Sequence, residues 1–373
     1  MTSGNDGMRS ARSMLVAALA ALAGNAWAAP PAVNASHAPA TFIEALRPEP
    51  GRRPVVAVLA LNDRTEMTDL LLPHAVLKRA DVAEVHIVAP RAGTVKLFPA
   101  LQIDGALSFE RFAQRHPEGP DYIIVPAMER DDDPAVTTWL HQQAQRGAKV
   151  IGICSGARVV GRAGLLDGRR FSGHWYDRKT LLKRHPGSQH VPDQRYLIDR
   201  GVATSTGITA SVPTMLALVE AIGGTVRAAA VAQELGVSAW GPTHDSARFG
   251  LSFSRGLAYV RQGAAFWLDE RWQVDVHDGM DDIALALAAD AWARTGRVRV
   301  EAASPSGAVQ LRSGLRLLTH APDDSPRLPL DNALKPVPQL DRTLCEIAAR
   351  HGDARRDRVL LEMEYAGPEA PCP

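Results

Sequence analysis

The stretch VIGICSGARVV, residues 150–160, decides the fold. Val150 to Ile153 is a short apolar run of the kind that makes a strand buried on both faces, and the residues after Gly156 suit a helix. Between them Gly152-Ile153-Cys154-Ser155-Gly156 is the cysteine form of a nucleophile elbow, with glycines two residues to either side of Cys154 to permit the tight turn. Upstream the same alternation repeats. Strands are expected over Val55–Leu61, Val85–Ala89 and Tyr122–Val125, and helices over Thr68–Lys78, Ser108–Arg115 and Ala135–Arg146, with a hairpin-like stretch around Gly93. Strands alternating with helices predict an α/β fold, a doubly wound parallel sheet covered on both sides. In such folds the carboxyl ends of the strands carry the ligands, so the loops Asn62–Asp69, Pro126–Asp133 and Cys154 should converge on one crevice.

At an elbow the cysteine is held in a strained conformation at a helix N-terminus, whose oriented N–H groups favour the thiolate. A nucleophile of lowered pKa is therefore expected at Cys154. Bulk properties set the limits around it. The 373 residues are 46% hydrophobic and 22% charged, and 42 Lys+Arg stand against 41 Asp+Glu. A near-neutral chain has no field to draw it to nucleic acid, which leaves a small-molecule ligand or a protein as partner.

At the N-terminus Arg9 and Arg12 precede the apolar run Met14–Ala23, closed by Ala26-Trp27-Ala28. This is the pattern of a Sec-type signal peptide over residues 1–28, predicting a periplasmic or secreted protein. Residues 29–52, rich in Ala and Pro, read as a flexible leader. The three cysteines are too few for a disulfide scaffold; Cys345 and Cys372 can pair and leave Cys154 free.

The stretches GICSGARVVGRAGLLDGRRFSGHW (152–175) and YLIDRGVATSTGITASVPTMLALVEAIGG (196–224) resemble the ThiJ/PfpI (DJ-one) family. They are most similar to the amidase-like domain at the front of GlxA-type AraC-family regulators. The resemblance covers residues 53–245 and implies a class I glutamine-amidotransferase-like, flavodoxin-like three-layer fold, often as a homodimer. It further implies an acid from the first strand-to-helix loop beside the cysteine. Within Glu66-Met67-Thr68-Asp69 the matching position is Asp69, with Glu66 as second candidate; a carboxyl there serves as acid or base to the thiol. Ser155, Gly156, His174 and Gly207 fall on the binding side of the same motifs. Two departures stand out. Ser155 occupies the place where the family's protease branch has histidine, and Pro126-Ala127-Met128 replaces the usual Pro-Gly-Gly. Side chains on Ala127 and Met128 restrict the backbone that an oxyanion hole needs. Nothing in the motifs calls for a cofactor or a metal.

After a connection at 246–270, the opening pattern returns. Met67, Asp69, Leu70 and Leu72 correspond to Met280, Asp282, Ile283 and Leu285; Gly93–Leu97 corresponds to Gly307–Leu311 and Leu101–Ile103 to Leu315–Leu317. Asp121–Val125 finds its counterpart in Asp357–Leu361, after which only a tail, 366–373, remains. Residues 271–365 thus read as a truncated second α/β copy lacking the nucleophile. No basic helix or helix-turn-helix pattern follows residue 245. The reading is a cysteine-dependent enzyme of amidase, hydratase or carbonyl-processing type acting on a small electrophile. The alternatives are a non-catalytic binding or redox-sensing module and, requiring the signal peptide to be misread, a regulator without its DNA-binding part.

Overall fold

The computed structural model describes residues 38–250, 270–368 and 372. The expected signal peptide, residues 29–37 of the leader and residues 251–269 of the connection lie outside them.

The central strand Val55–Leu59 is buried at every position, and its side chains divide between two cores. Val56 and Val58 point into one, Val55, Ala57 and Leu59 into the other, as the period-two alternation of a strand requires. Covered on both faces, the sheet is the middle of three layers. Its strands run in the order Tyr196–Asp199, Val202–Ser205, Lys149–Gly152, Tyr122–Val125, Val55–Leu59, Glu84–Ala89, Gln102–Ser108, Arg316–Leu318, Ala308–Gln310. From Val202–Ser205 to Gln102–Ser108 the neighbours are parallel. The chain winds one way from Val55–Leu59 to Glu84–Ala89 and then crosses back to Tyr122–Val125, so the order reverses beside the first strand. Loops diverging at such a switch point open a crevice at the strands' carboxyl ends.

The expected helices and strands of the first domain form within one or two residues of their anticipated ends. The leader is corrected in part: Ala40–Leu46 is a helix with Phe42 and Leu46 buried. Spaced four apart, these two share one face, and Phe42 packs on the Tyr196 ring at 4.7 Å between centroids. The tail is likewise held, because Cys372 forms a disulfide with Cys345.

In the C-terminal part the strands Glu270–Asp275 and Val298–Ala303 pair in parallel around the helix Asp282–Arg294, and an antiparallel pair, Ala308–Gln310 with Arg316–Leu318, follows. This part joins the first domain through one strand and one helix. Leu317 pairs with Ile103, and helix Asp282–Arg294 packs on helix Met67–Ala80. Arg79 ties the two helices, 2.7 Å from Asp281 and 3.3 Å from Asp282. One expectation fails: Asp357–Leu361 is no strand but part of the helix Asp353–Met363. Three of its four buried residues, Arg355, Val359 and Met363, recur every fourth position, a helical period that the match to Asp121–Val125 concealed.

Candidate active site

The elbow is built by backbone constraint. Cys154 has φ 52°, the left-handed region that a non-glycine residue enters only when its surroundings enforce it. The enforcing contact is at Gly156. A Cβ there would lie 1.9 Å from the carbonyl oxygen of Val125, so the turn is jammed against the end of the neighbouring strand and only glycine fits. The Cys154 amide donates to Ser205 Oγ at 3.3 Å, and the thiol is buried.

The two candidate carboxyls take different roles. Glu66 caps the helix Met67–Ala80, accepting from the Asp69 amide at 2.6 Å and from Thr68 Oγ1 at 2.8 Å. Asp69 accepts from the amide of Ala127 at 3.1 Å through Oδ2, while its buried Oδ1 has no partner. The loops meet here: the Glu66 amide donates to Ala127 O at 2.8 Å, and Thr65 bridges Met128. Ala127 therefore spends its N–H on Asp69 rather than offering it to a substrate oxygen.

Ser155 donates its hydroxyl to Asp177, and Arg158 stands 4.0 Å from the same carboxylate. Both ring nitrogens of His174 are engaged by backbone groups. Its Nδ1 accepts from the Tyr176 amide at 3.4 Å, which leaves Nε2 to donate to Glu362 O at 3.1 Å. Beside it Trp175 donates from Nε1 to Leu361 O at 2.8 Å. His174 is thus an anchor for the last helix. Gly207 lets that helix's end approach, since a Cβ would come within 2.5 Å of Glu364 Cβ.

The C-terminal part supplies groups that no motif announced. Arg294 reaches Glu66 Oε1 at 2.8 Å, Asp290 Oδ2 at 2.7 Å and Glu362 Oε2 at 3.6 Å. Glu364 accepts from the Trp175 amide at 3.3 Å and lies 3.8 Å from His244. An Asp290/Arg294 pair four apart on a helix is an ordinary surface pattern, so nothing in the sequence set it apart.

Charge in this cluster follows from burial. One guanidinium faces several carboxyls in a place poor in water, and they cannot all ionise. Burial, then Asp290, push Glu66 up to about 7 against the pull of Arg294. Burial, then Glu66, hold Asp69 well above the usual carboxylate range. Burial works against the charge of Arg294, but Asp290, Glu66 and Glu362 outweigh it and keep it protonated.

Cys154 departs from the expected lowered pKa. Burial, then Asp69, Glu66, Asp177 and Glu364, raise its thiol well above the ordinary value. The helix behind it spans only Gly156–Arg162. A helix N-terminus contributes about 0.3–1 kcal/mol, less than the roughly 1.4 kcal/mol of a single pKa unit, so burial and the carboxyls win. The resting site holds a neutral thiol beside a carboxyl of raised pKa.

Two outcomes follow. Iodoacetamide should alkylate Cys154 slowly at neutral pH, with the rate still climbing above about pH 8.5, the range of a free thiol. Asp69→Asn, which takes away a carboxyl whose charge opposes formation of the thiolate, should move that profile to lower pH; a wild-type midpoint below the free-thiol range would contradict this electrostatic picture. Arg294→Met leaves Glu66 and Asp290 buried without their cation and should lower stability in urea by about 3–5 kcal/mol. A loss under about 1 kcal/mol would show the pair to be solvated.

The DJ-1/PfpI family model matches residues 55–221. The HTH-type transcriptional regulator CdhR of Pseudomonas aeruginosa is 28% identical over 183 residues, 48% of this chain and 52% of its own. Isonitrile hydratase of Pseudomonas putida is 29% identical over 182 residues, 47% of this chain and 75% of its own. The HTH-type transcriptional regulator GlxA of Rhizobium meliloti is 35% identical over 171 residues, 44% of this chain and 50% of its own. The chain spans about half the length of the two regulators it matches. With the elbow at Cys154, the switch point beside it and the family match over the same strands, residues 55–221 of this chain are a DJ-1/PfpI family domain.

Proposed function

We propose that the protein is an exported cysteine-dependent enzyme that adds Cys154 to a small carbon electrophile, with Asp69 carrying the proton. The observation behind this is the buried, unpartnered Oδ1 of Asp69, on a carboxyl held well above the usual range and acting directly on the charge of Cys154. A neutral thiol beside a carboxyl of raised pKa suits substrates that must gain a proton where sulfur attacks. An isonitrile, the substrate class named for the Pseudomonas putida relative, is of this kind. Sulfur bonds to the terminal carbon while that carbon takes the proton relayed by Asp69, giving a thioimidate. Water then adds across the C=N bond, the C–S bond breaks, the thiol recovers its proton and an N-substituted formamide leaves. A reactive carbonyl follows the same first step, with the proton going to oxygen. Amide hydrolysis fits less well, because the Ala127 N–H that an oxyanion would need is held by Asp69.

A second reading rests on a different feature. A cavity of about 490 Å³, lined among others by Arg195, Thr206, Thr209, His244 and Glu364, lies beside the elbow without including Cys154. Ligand binding there would make the domain a sensor. Steady-state turnover of a panel of isonitriles and α-oxoaldehydes separates the two. Cys154→Ser should abolish turnover and Asp69→Asn should reduce it about 10²–10⁴-fold. Turnover that survives Cys154→Ser would end the enzymatic reading, and ligand binding without turnover would support the sensor.

Export is supported by the Arg9–Ala28 pattern and by the Cys345–Cys372 disulfide, a bond that persists in oxidising compartments. Cell fractionation with N-terminal sequencing should find the chain in the periplasm or medium, beginning at Ala29. Full-length protein confined to the cytoplasm would refute export.

A further inference from the structure

At the start of the strand Glu84–Ala89, at the opposite end of the sheet from the elbow, Glu84 and His86 project to the same face, two residues apart. The helix Phe109–Arg115 packs on that face and ends at His116, whose amide donates to Phe112 O at 2.8 Å. Three ligand atoms converge between them. His86 Nε2 lies 2.8 Å from Glu84 Oε1 and 3.1 Å from His116 Nε2, and His116 Nε2 is 3.7 Å from Glu84 Oε1.

Hydrogen bonding meets this arrangement only by dividing the single His86 Nε2 proton between the Glu84 carboxylate and the lone pair of His116 Nε2. If His86 accepts from His116 instead, its lone pair faces the Glu84 carboxylate at the shorter distance. A cation at the centre serves all three atoms at once, since each then presents a lone pair. The three separations also bracket the spacing of about 3.3 Å between ligands of a tetrahedral ion bound at about 2.0–2.1 Å. The positions are fixed before any ion arrives. His86 meets the Phe112 ring edge-on at 6.0 Å, and His116 packs on the same ring at 4.9 Å. Entry is open as well: the Glu84 side chain is 43% exposed, and His86 borders a cavity of about 520 Å³. Arg115, 3.9 Å from Glu84 and itself 59% exposed, is a competitor for the carboxylate that can swing into solvent.

We infer that Glu84, His86 and His116 form a three-ligand site for a divalent transition-metal ion of the zinc class, open at a fourth position. Two imidazoles and one carboxylate are the donor set that zinc takes, and the ion clamps the end of the helix to the sheet. The site is separate from Cys154 and does not depend on the proposed reaction.

Zinc chloride titrated calorimetrically into chelator-treated protein tests it. The Cys154→Ser background removes the free thiol as a rival ligand. One equivalent should bind saturably and raise the melting temperature. Glu84→Gln and His116→Gln should each weaken binding at least about tenfold. Glu84 is exposed enough for its variant to fold, and circular dichroism checks both. Absence of saturable one-site binding would overturn the inference, as would binding unchanged in both variants.

Discussion

A single buried cation, Arg294, ties a carboxyl beside the thiol to two carboxyls of the C-terminal part. Arg294 comes from the C-terminal part, yet its partner Glu66 caps the first helix of the DJ-1/PfpI domain, and its other partners Asp290 and Glu362 belong to its own side. Removing charged groups from water is costly, and the cost is offset only where opposite charges meet in good geometry. One guanidinium cannot neutralise every carboxyl near it, and Asp69, which Arg294 does not touch, is held well above the usual carboxylate range by burial and then by Glu66. The ion pair that attaches the C-terminal part therefore reaches the acid beside the thiol through Glu66.

The elbow imposes a different constraint. Cys154 occupies its left-handed conformation because the chain is pinned on one side by Gly156 against Val125 O and on the other by the amide bond to Ser205. Such a turn aims a side chain into the crevice but does not by itself ionise it. Whether the sulfur is a thiol or a thiolate depends on what surrounds it, and here the surroundings are apolar burial and carboxyls. Elbow geometry and nucleophile pKa are separable properties, and this protein has the first without the second.

The C-terminal part meets the first domain through its sheet and one helix. Ile103 pairs with Leu317, and the helices carrying Asp69 and Asp282 pack on each other. That geometry brings Arg294 and Glu364 to the crevice edge without a second copy of the protein.

The layered α/β fold was legible because it rests on local rules. Val55–Leu61 and Val150–Ile153 read as buried strands from their unbroken apolar runs, and the glycines around Cys154 marked the elbow, with Gly156 at a place where only glycine tolerates so close an approach. Asp69 was legible by its place in the first strand-to-helix loop. The helix at Ala40–Leu46 was obscured by the Ala- and Pro-rich composition around it, and Asp357–Leu361 was misassigned because similarity to a strand outweighed a helical period. Tertiary structure alone decided which groups share the crevice and in what protonation state. Arg294 lies 140 residues beyond Cys154 (294 minus 154), and its approach depends on how two separate helices pack. A sequence records side chains and their local spacing; the dielectric and the charges around a thiol are sums over neighbours that only folding brings together.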